Sequence, residues 1–304
     1  MELRHLRYFL TVADEGSVTR AAERLHISQP PLSQQIKELE RMVGVTLFER
    51  TSQGMTLTAA GMAFRTEAQR SLQAAQDARQ AALRAAQGHT GTLRVGFTTS
   101  AAFHPAVTGS LQAFRSAWPE VQVLLEESNT TRLSEALLSG TLDAAFVRPG
   151  GQAPGALRLQ PFKDEPMKVV LPASHPLAGQ RRIALHRLAK EPFVLFPRSV
   201  GPGLHDAVVQ ACRDAGFEPL RGPETLQLSS VINLVAAGMG VSVVPDSLTQ
   251  IQLPGVRYLG IHGTAPKASL ALAWPHHCNT PTVQNLAQIA NALGERAPLR
   301  TTAP

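Results

Sequence analysis

Four hydrogen-bonding side chains, Gln29, Ser33, Gln34 and Lys37, fall on one side of the segment Gln29–Val43 when it is wound as a helix. On the other side Leu32, Ile36, Leu39 and Val43 repeat at steps of four, three and four, a stripe expected to face a core. Ser28 stands at the N-cap, and Pro30 and Pro31 occupy the first turn, where a missing N–H costs nothing. A shorter helix over Val18–Leu25 precedes it. Ser17 caps that helix, Ala21, Ala22 and Leu25 lie on its inner face, and His26-Ile27 form the bend. Amide and hydroxyl groups at the N-terminal end of such a second helix have the geometry to reach base edges in the DNA major groove. The competing reading is a helical hairpin whose polar face merely meets water.

A second set of polar groups stands in the later part of the chain. Three turns between a strand and a helix are rich in hydroxyls or otherwise suited to a ligand: Thr98-Thr99-Ser100, Asn129-Thr130-Thr131 and Pro197-Arg198-Ser199. Arg148 follows a strand directly. In α/β sheets ligands sit beyond the carboxyl ends of strands, facing helix N-termini. Thr99, Ser100, Thr130, Arg148, Pro197 and Ser199 are therefore the candidate ligand residues, against the alternative that the hydroxyls only cap helices.

The elements that must hold these groups can be read in order. Glu2–Ala13 forms a first helix with Leu3, Leu6, Phe9, Leu10 and Ala13 inward. Gly44 ends the reading helix. Val45–Glu49 and Met55–Leu57 make a hairpin, a wing able to lay Arg50 and Gln53 on the phosphate backbone or in the minor groove. Thr58 opens a helix over Ala59–Gln87, where Ala68, Leu72, Ala75, Arg79, Ala82 and Ala86 alternate four and three, the spacing of a coiled-coil seam. This reads as a dimerisation helix and linker, ended at Gly88-His89-Thr90-Gly91.

From Thr92 strands and helices alternate, as in an α/β fold with a parallel sheet. Strands are expected at Leu93–Phe97, Val121–Glu126, Leu142–Val147, Val169–Leu171, Phe193–Phe196, Glu224–Leu226, Gly240–Val244 and Ala268–Trp274. Helices are expected at Phe103–Ala117, Arg132–Ser139, Leu204–Ala215, Ser229–Ala237 and Thr282–Leu293. The organisation predicted is a 1–58 winged helix-turn-helix, a 59–90 linker helix and a 91–304 two-lobed α/β domain. Lobe I takes about 91–162 and 267–304, and lobe II about 163–266, with crossings near Phe162 and Thr264–Lys267.

The 304 residues carry a net charge of +6, and 43% of them are hydrophobic, enough for packed cores. The first 58 residues hold seven Lys/Arg and seven Asp/Glu, so attraction to phosphate must come from local placement rather than bulk charge. Cys212 and Cys278 have neither metal-ligand nor disulfide spacing. No apolar run reaches about 18 residues and no signal peptide is evident, which points to a cytoplasmic protein without a membrane partner.

An enzyme is disfavoured. His104, His175, His186, His205, His262, His276 and His277 offer bases, yet no Gly-x-Ser-x-Gly, no His-Glu-x-x-His and no phosphate-binding glycine loop is present. A solute-binding protein would suit the second half alone.

The stretch LRYFLTVADEGSVTRAAERLHISQPPLSQQIKELERMVGVTLFERTSQGMTLT resembles the winged helix-turn-helix of LysR-type transcriptional regulators. Ala21-Ala22, Ser28-Gln29-Pro30, Leu39-Glu40, Leu47-Phe48 and Leu57-Thr58 stand where that family has them, and the likeness extends over essentially the full chain. It implies a DNA-binding regulator, not an enzyme, with a periplasmic-binding-protein-like sensing domain and no metal or cofactor beyond a small organic effector.

By position, Gln29, Pro30, Ser33 and Gln34 are implied to read bases, and Ser28, Lys37 and Arg50 to touch phosphate. MELRHLRYFL, QPPLSQQI and Leu195–Arg198 resemble the subgroup that controls catabolism of aromatic compounds. There, positions matching Ser100, Thr130, Arg148 and Pro197 line the effector site, and the effectors are small organic acids. The resemblance further implies homodimers and homotetramers on bent double-stranded DNA, and RNA polymerase as a partner of a transcription activator.

Overall fold

A computed structural model describes residues 1–52, 54–150 and 155–294. By contacts the chain divides into Met1–Arg84 and Ala85–Pro304.

The first unit holds α1 (Leu3–Glu15), α2 (Val18–Arg24), α3 (Gln29–Val43), the hairpin β1 (Phe48–Thr51) and β2 (Gly54–Leu57), and most of α4 (Ala59–Ala86). Helix α1 runs two residues past the expected end, because Gly16, at φ 60, is its true C-cap. Its buried face is His5, Leu6, Phe9 and Val12, while Leu3 is 48% exposed. Phe9 ties the unit together. Its ring centroid lies 5.0 Å from Phe48 on β1 and 5.0 Å from Phe64 on α4. Leu32, Ile36 and Leu39 of α3 are buried as expected, but Val43 is 36% exposed. It stands at the last residue of α3, beyond the ground that α1 and α2 cover.

The wing starts three residues later than the sequence suggested, at Phe48, and pairs antiparallel from Phe48↔Leu57 to Thr51↔Gly54. Its return strand is pinned to the α1–α2 turn by Met55 N–H donating to the Gly16 carbonyl at 2.9 Å. A β-carbon on Gly54 would lie 2.5 Å from that same carbonyl oxygen, so the approach requires glycine.

Among the described residues the second unit has two five-stranded sheets, both mixed rather than parallel, and a separate parallel pair of strands. The first, in the order β4-β3-β5-β14-β6, uses β3 (Gly91–Phe97), β4 (Val121–Glu127), β5 (Ala144–Val147), β6 (Leu157–Pro161) and β14 (Ala271–Pro275). β3 is parallel to β4 and β5, while the returning β14 is antiparallel to β5 and β6. Helices α5 (Thr99–Ala102), α6 (Pro105–Ala117) and α7 (Thr130–Ser139), with the closing α10 (Pro281–Gly294), belong to this lobe.

The second lobe is built on β7 (Glu165–Pro172), β8 (Arg182–Ile183), β11 (Ser242–Pro245) and β12 (Val256–Ile261), in the order β11-β7-β12-β8, with β13 (Lys267–Ala268) also on β7. β9 (Pro192–Leu195) and β10 (Leu220–Glu224) pair in parallel, and Phe193 bridges to Val241. Helices α8 (Pro202–Asp214) and α9 (Leu228–Ala236) cover it. The chain passes between lobes at 162–164 and again at 269–270, where Phe162 N–H donates to the Leu270 carbonyl at 2.9 Å. The second passage lies beyond Lys267 because that residue still pairs with β7.

Candidate DNA-reading face and ligand crevice

On α3, Ser28, Gln29, Pro30, Gln34 and Lys37 are exposed and Ser33 is half-buried. Ser28 has the extended backbone of an N-cap, yet its side chain caps nothing. The reason is local. An N-cap oxygen accepts from the N2 or N3 N–H, and those residues are Pro30 and Pro31, which have none. The Ser28 hydroxyl is left for an outside acceptor. Among the described residues Gln29, Ser33, Gln34, Lys37 and Arg50 form no side-chain hydrogen bond or ion pair, so the row is unpaired from within. Gln53 lies outside the described residues.

One residue of this region was not singled out by the sequence reading as part of the machinery. Glu40, on α3, accepts with Oε1 from the backbone N–H of Leu47 at 2.8 Å and of Phe48 at 3.1 Å. A carboxylate accepting two amides is a strong tie. It fastens the first wing strand, and with it Arg50, to the helix that carries Gln29.

In the second unit a crevice of about 580 Å³ opens between the lobes. One wall is polar and comes from lobe I: Thr98, Thr99, Ser100, Glu127, Ser128, Asn129, Thr130 and Arg132. The other comes from lobe II and is largely apolar: Phe196, Val200, Gly201, Leu204, Leu226 and Gln227. The cap reading holds for two of the hydroxyl or amide residues only. Thr98 Oγ1 accepts from Ala101 N–H and Asn129 Oδ1 from Arg132 N–H. Thr99, Ser100 and Thr130 sit one or two residues further on. Pro197 lines an adjoining recess, with Glu224 and Thr225. Ser199 is on neither wall; its carbonyl accepts from Thr131 Oγ1 at 2.9 Å, a link from one lobe to the other.

Arg148 also lines the crevice, but its guanidinium is committed to the protein. Only 2% exposed, it donates from Nε to Ser100 Oγ at 3.3 Å and from Nη1 to the Ala268 and Ser269 carbonyls at 3.4 Å. Nη2 reaches the Ser100 carbonyl at 3.3 Å and Glu165 Oε1 at 2.6 Å. Glu165 in turn accepts from Ser247 N–H at 2.7 Å and Ser247 Oγ at 3.1 Å. Burial lowers the Arg148 pKa from its usual value, and Glu165 opposes that fall. This network joins the end of β5 to both strands that leave the hinge. His104, the N-cap of α6, feels the same pair. Burial lowers its pKa, Glu165 works against the shift, and Arg148 adds to it. The two lobes also touch by bare backbone, since a β-carbon on Gly203 would lie 2.3 Å from the Pro149 carbonyl oxygen.

Among the described residues no group of three His, Cys, Asp or Glu could hold a metal, and no helix is long and apolar enough to cross a membrane. Residues 3–62 match the family model described as bacterial regulatory helix-turn-helix protein, lysR family, and residues 86–294 match the LysR substrate binding domain. The HTH-type transcriptional regulator YnfL of Escherichia coli (strain K12) is 41% identical over 96% of this chain and 99% of its own length. The regulator BudR of Raoultella terrigena is 39% identical over 95% and 100%. The crystal structure of CbnR, a LysR family transcriptional regulator, superposes with a TM-score of 0.83 at 30% identity, covering 95% of this chain and 100% of that one. Full-length CbnR with its target DNA gives 0.80 at 29% identity, over 97% and 100%. With a helix-turn-helix whose outer polar face is unpaired in the first unit and a crevice between two lobes in the second, this chain belongs to the LysR family of DNA-binding transcriptional regulators, with an effector-binding domain and no enzymatic role.

Proposed function

We propose that the crevice binds a small organic acid, aromatic or a related carboxylate, and that its occupancy resets how the subunits hold a promoter. The observation that carries this is the crevice itself: hydroxyl and amide groups on one wall, hydrocarbon on the other, at the place where the lobes hinge. In this reading Thr99, Ser100 and Thr130 meet the polar end of the ligand. Arg148 acts from beneath, by orienting Ser100. Pro197 and Ser199 shape the lobe II edge. On the DNA side Gln29, Pro30, Ser33 and Gln34 read bases, while Ser28, Lys37, Arg50 and Gln53 hold phosphate.

The outer half of α4 supports a dimer. Residues 76–87 are exposed along its length, and Leu83 is 44% exposed, which a helix of this composition tolerates best when a second copy covers it. Dimers paired into tetramers would place reading helices at sites spaced along bent DNA, within reach of RNA polymerase. The effector changes the bend only by binding one arrangement better than another. A thermal-shift screen of aromatic acids and dicarboxylates tests the ligand class: an effector at 100 times its Kd adds about 2.7 kcal/mol of stability. Absence of any stabilising acid overturns the reading. A circularly permuted operator fragment, run with and without the hit, tests the bend.

A further inference from the structure

Two neighbouring hydroxyls in the crevice are held with opposite polarity. Thr99 Oγ1 donates to Glu127 Oε1 at 2.5 Å, so its single proton is used and only lone pairs face a ligand. Ser100 Oγ accepts from Arg148 Nε at 3.3 Å and lies 3.4 Å from Thr98 Oγ1, which already accepts from Ala101 N–H; with Thr98 as the donor of that pair, the Ser100 proton is left for a ligand. Glu127 itself, the last residue of β4, lines the crevice and is largely exposed. Ionised, it accepts and cannot donate. One end of the polar wall therefore asks for an acceptor on the ligand, and the adjoining end asks for a donor.

We infer that the crevice selects acids carrying a hydroxyl or amino group on the carbon next to the carboxylate, with Glu127 and Thr99 reading the donor and Ser100 the acid. This rests on the organic-acid reading of the same crevice and narrows it. An unsubstituted acid seated at Ser100 would lay hydrocarbon against Glu127 and strip water from a carboxylate without replacing its hydrogen bond, which is unfavourable. A hydroxyl or ammonium at that point restores the bond. The remaining hydrocarbon of the ligand meets Phe196, Val200, Leu204 and Leu226 on the opposite wall.

The test is calorimetric titration of the full-length protein with matched pairs, propionate against lactate and phenylacetate against mandelate. The hydroxylated member of each pair is expected to bind about tenfold tighter, the worth of one hydrogen bond to a charged acceptor. Glu127→Ala should bring the ratio close to one from both sides, weakening the hydroxy acids while tightening the unsubstituted ones. Thr99→Val should lower the same ratio without the second effect. A purely structural role for Glu127 would weaken both members alike. Equal binding of both members to the unmodified protein, or a ratio that survives both substitutions, overturns this inference and leaves the organic-acid reading standing. If none of the four acids binds, this inference falls, while the organic-acid reading falls only if the wider screen of aromatic acids and dicarboxylates also finds none.

Discussion

The reading unit and the sensing unit treat polar side chains in opposite ways. On α3 and the wing the groups proposed to meet DNA are unpaired and, Ser33 apart, exposed, and Ser28 is even denied its own helix as a partner by two prolines. Around the crevice the polar groups are bonded to neighbours, and Thr98, Ser100 and Arg148 are buried, Arg148 bonded through every nitrogen of its guanidinium. The difference follows from the partner. Duplex DNA is rigid, large and charged, so a bare polar face suffices and water holds the groups until contact. A small ligand must be met by groups already oriented, and orientation comes from neighbours.

The contrast can be broken most sharply at Arg148. Arg148→Ala leaves Glu165 buried with only Ser247 to satisfy it, and should cost the sensing unit about 3–5 kcal/mol in denaturant unfolding. A loss under 1 kcal/mol would mean the network is no more than surface decoration. Gln29→Ala should do the reverse. Stability is expected to stay within about 0.5 kcal/mol, while specific DNA binding in a gel shift falls by about 1–3 kcal/mol.

Glu40→Ala falls between the two regimes, because Glu40 lies in the reading unit but is bonded inward. It should lose about 1–3 kcal/mol of stability, with Glu40→Gln recovering most of it, since the amide oxygen still accepts both N–H groups. Arg50→Ala should leave stability alone and reduce the slope of log affinity against log salt by about 1.

The smallest effect is on pH. His104 has its pKa lowered in the folded state, so the unfolded chain takes the proton first. Stability is then full above the unfolded value and declines as pH falls through it. His104→Asn keeps a capping oxygen for α6 and removes the titration, so the melting temperature of the variant should fall less between pH 7 and pH 5. A decline as steep as in the unmodified protein would place the acid sensitivity elsewhere.

Legibility in the sequence divides along the same line. The reading unit could be traced because its information is local: a four-three apolar step, a serine at a cap, a glycine at an end. Even its errors are local, such as Val43 counted inward though α3 outruns its support. In the sensing unit β6, β8 and β12 have no counterpart among the expected strands, and β10 begins four residues before the expected Glu224, running through Gly222-Pro223, residues that ordinarily interrupt a strand. The returning strand β14 makes the first sheet mixed, which βαβ alternation alone cannot reveal. Arg148 was picked out as a ligand contact because its position points to the crevice. That Glu165 would claim it depends on a hinge that brings the first residue of β7 to the guanidinium just beyond β5, and no spacing encodes this.

The glycine contact between the lobes carries a mechanical consequence. Where the Pro149–Gly150 and Pro202–Gly203 backbones meet, there is room for main chain and nothing more. A methyl group on Gly203 would act as a wedge, propping the jaws apart whatever lay between them. Such a protein would still recognise its promoter while being deaf to its metabolite.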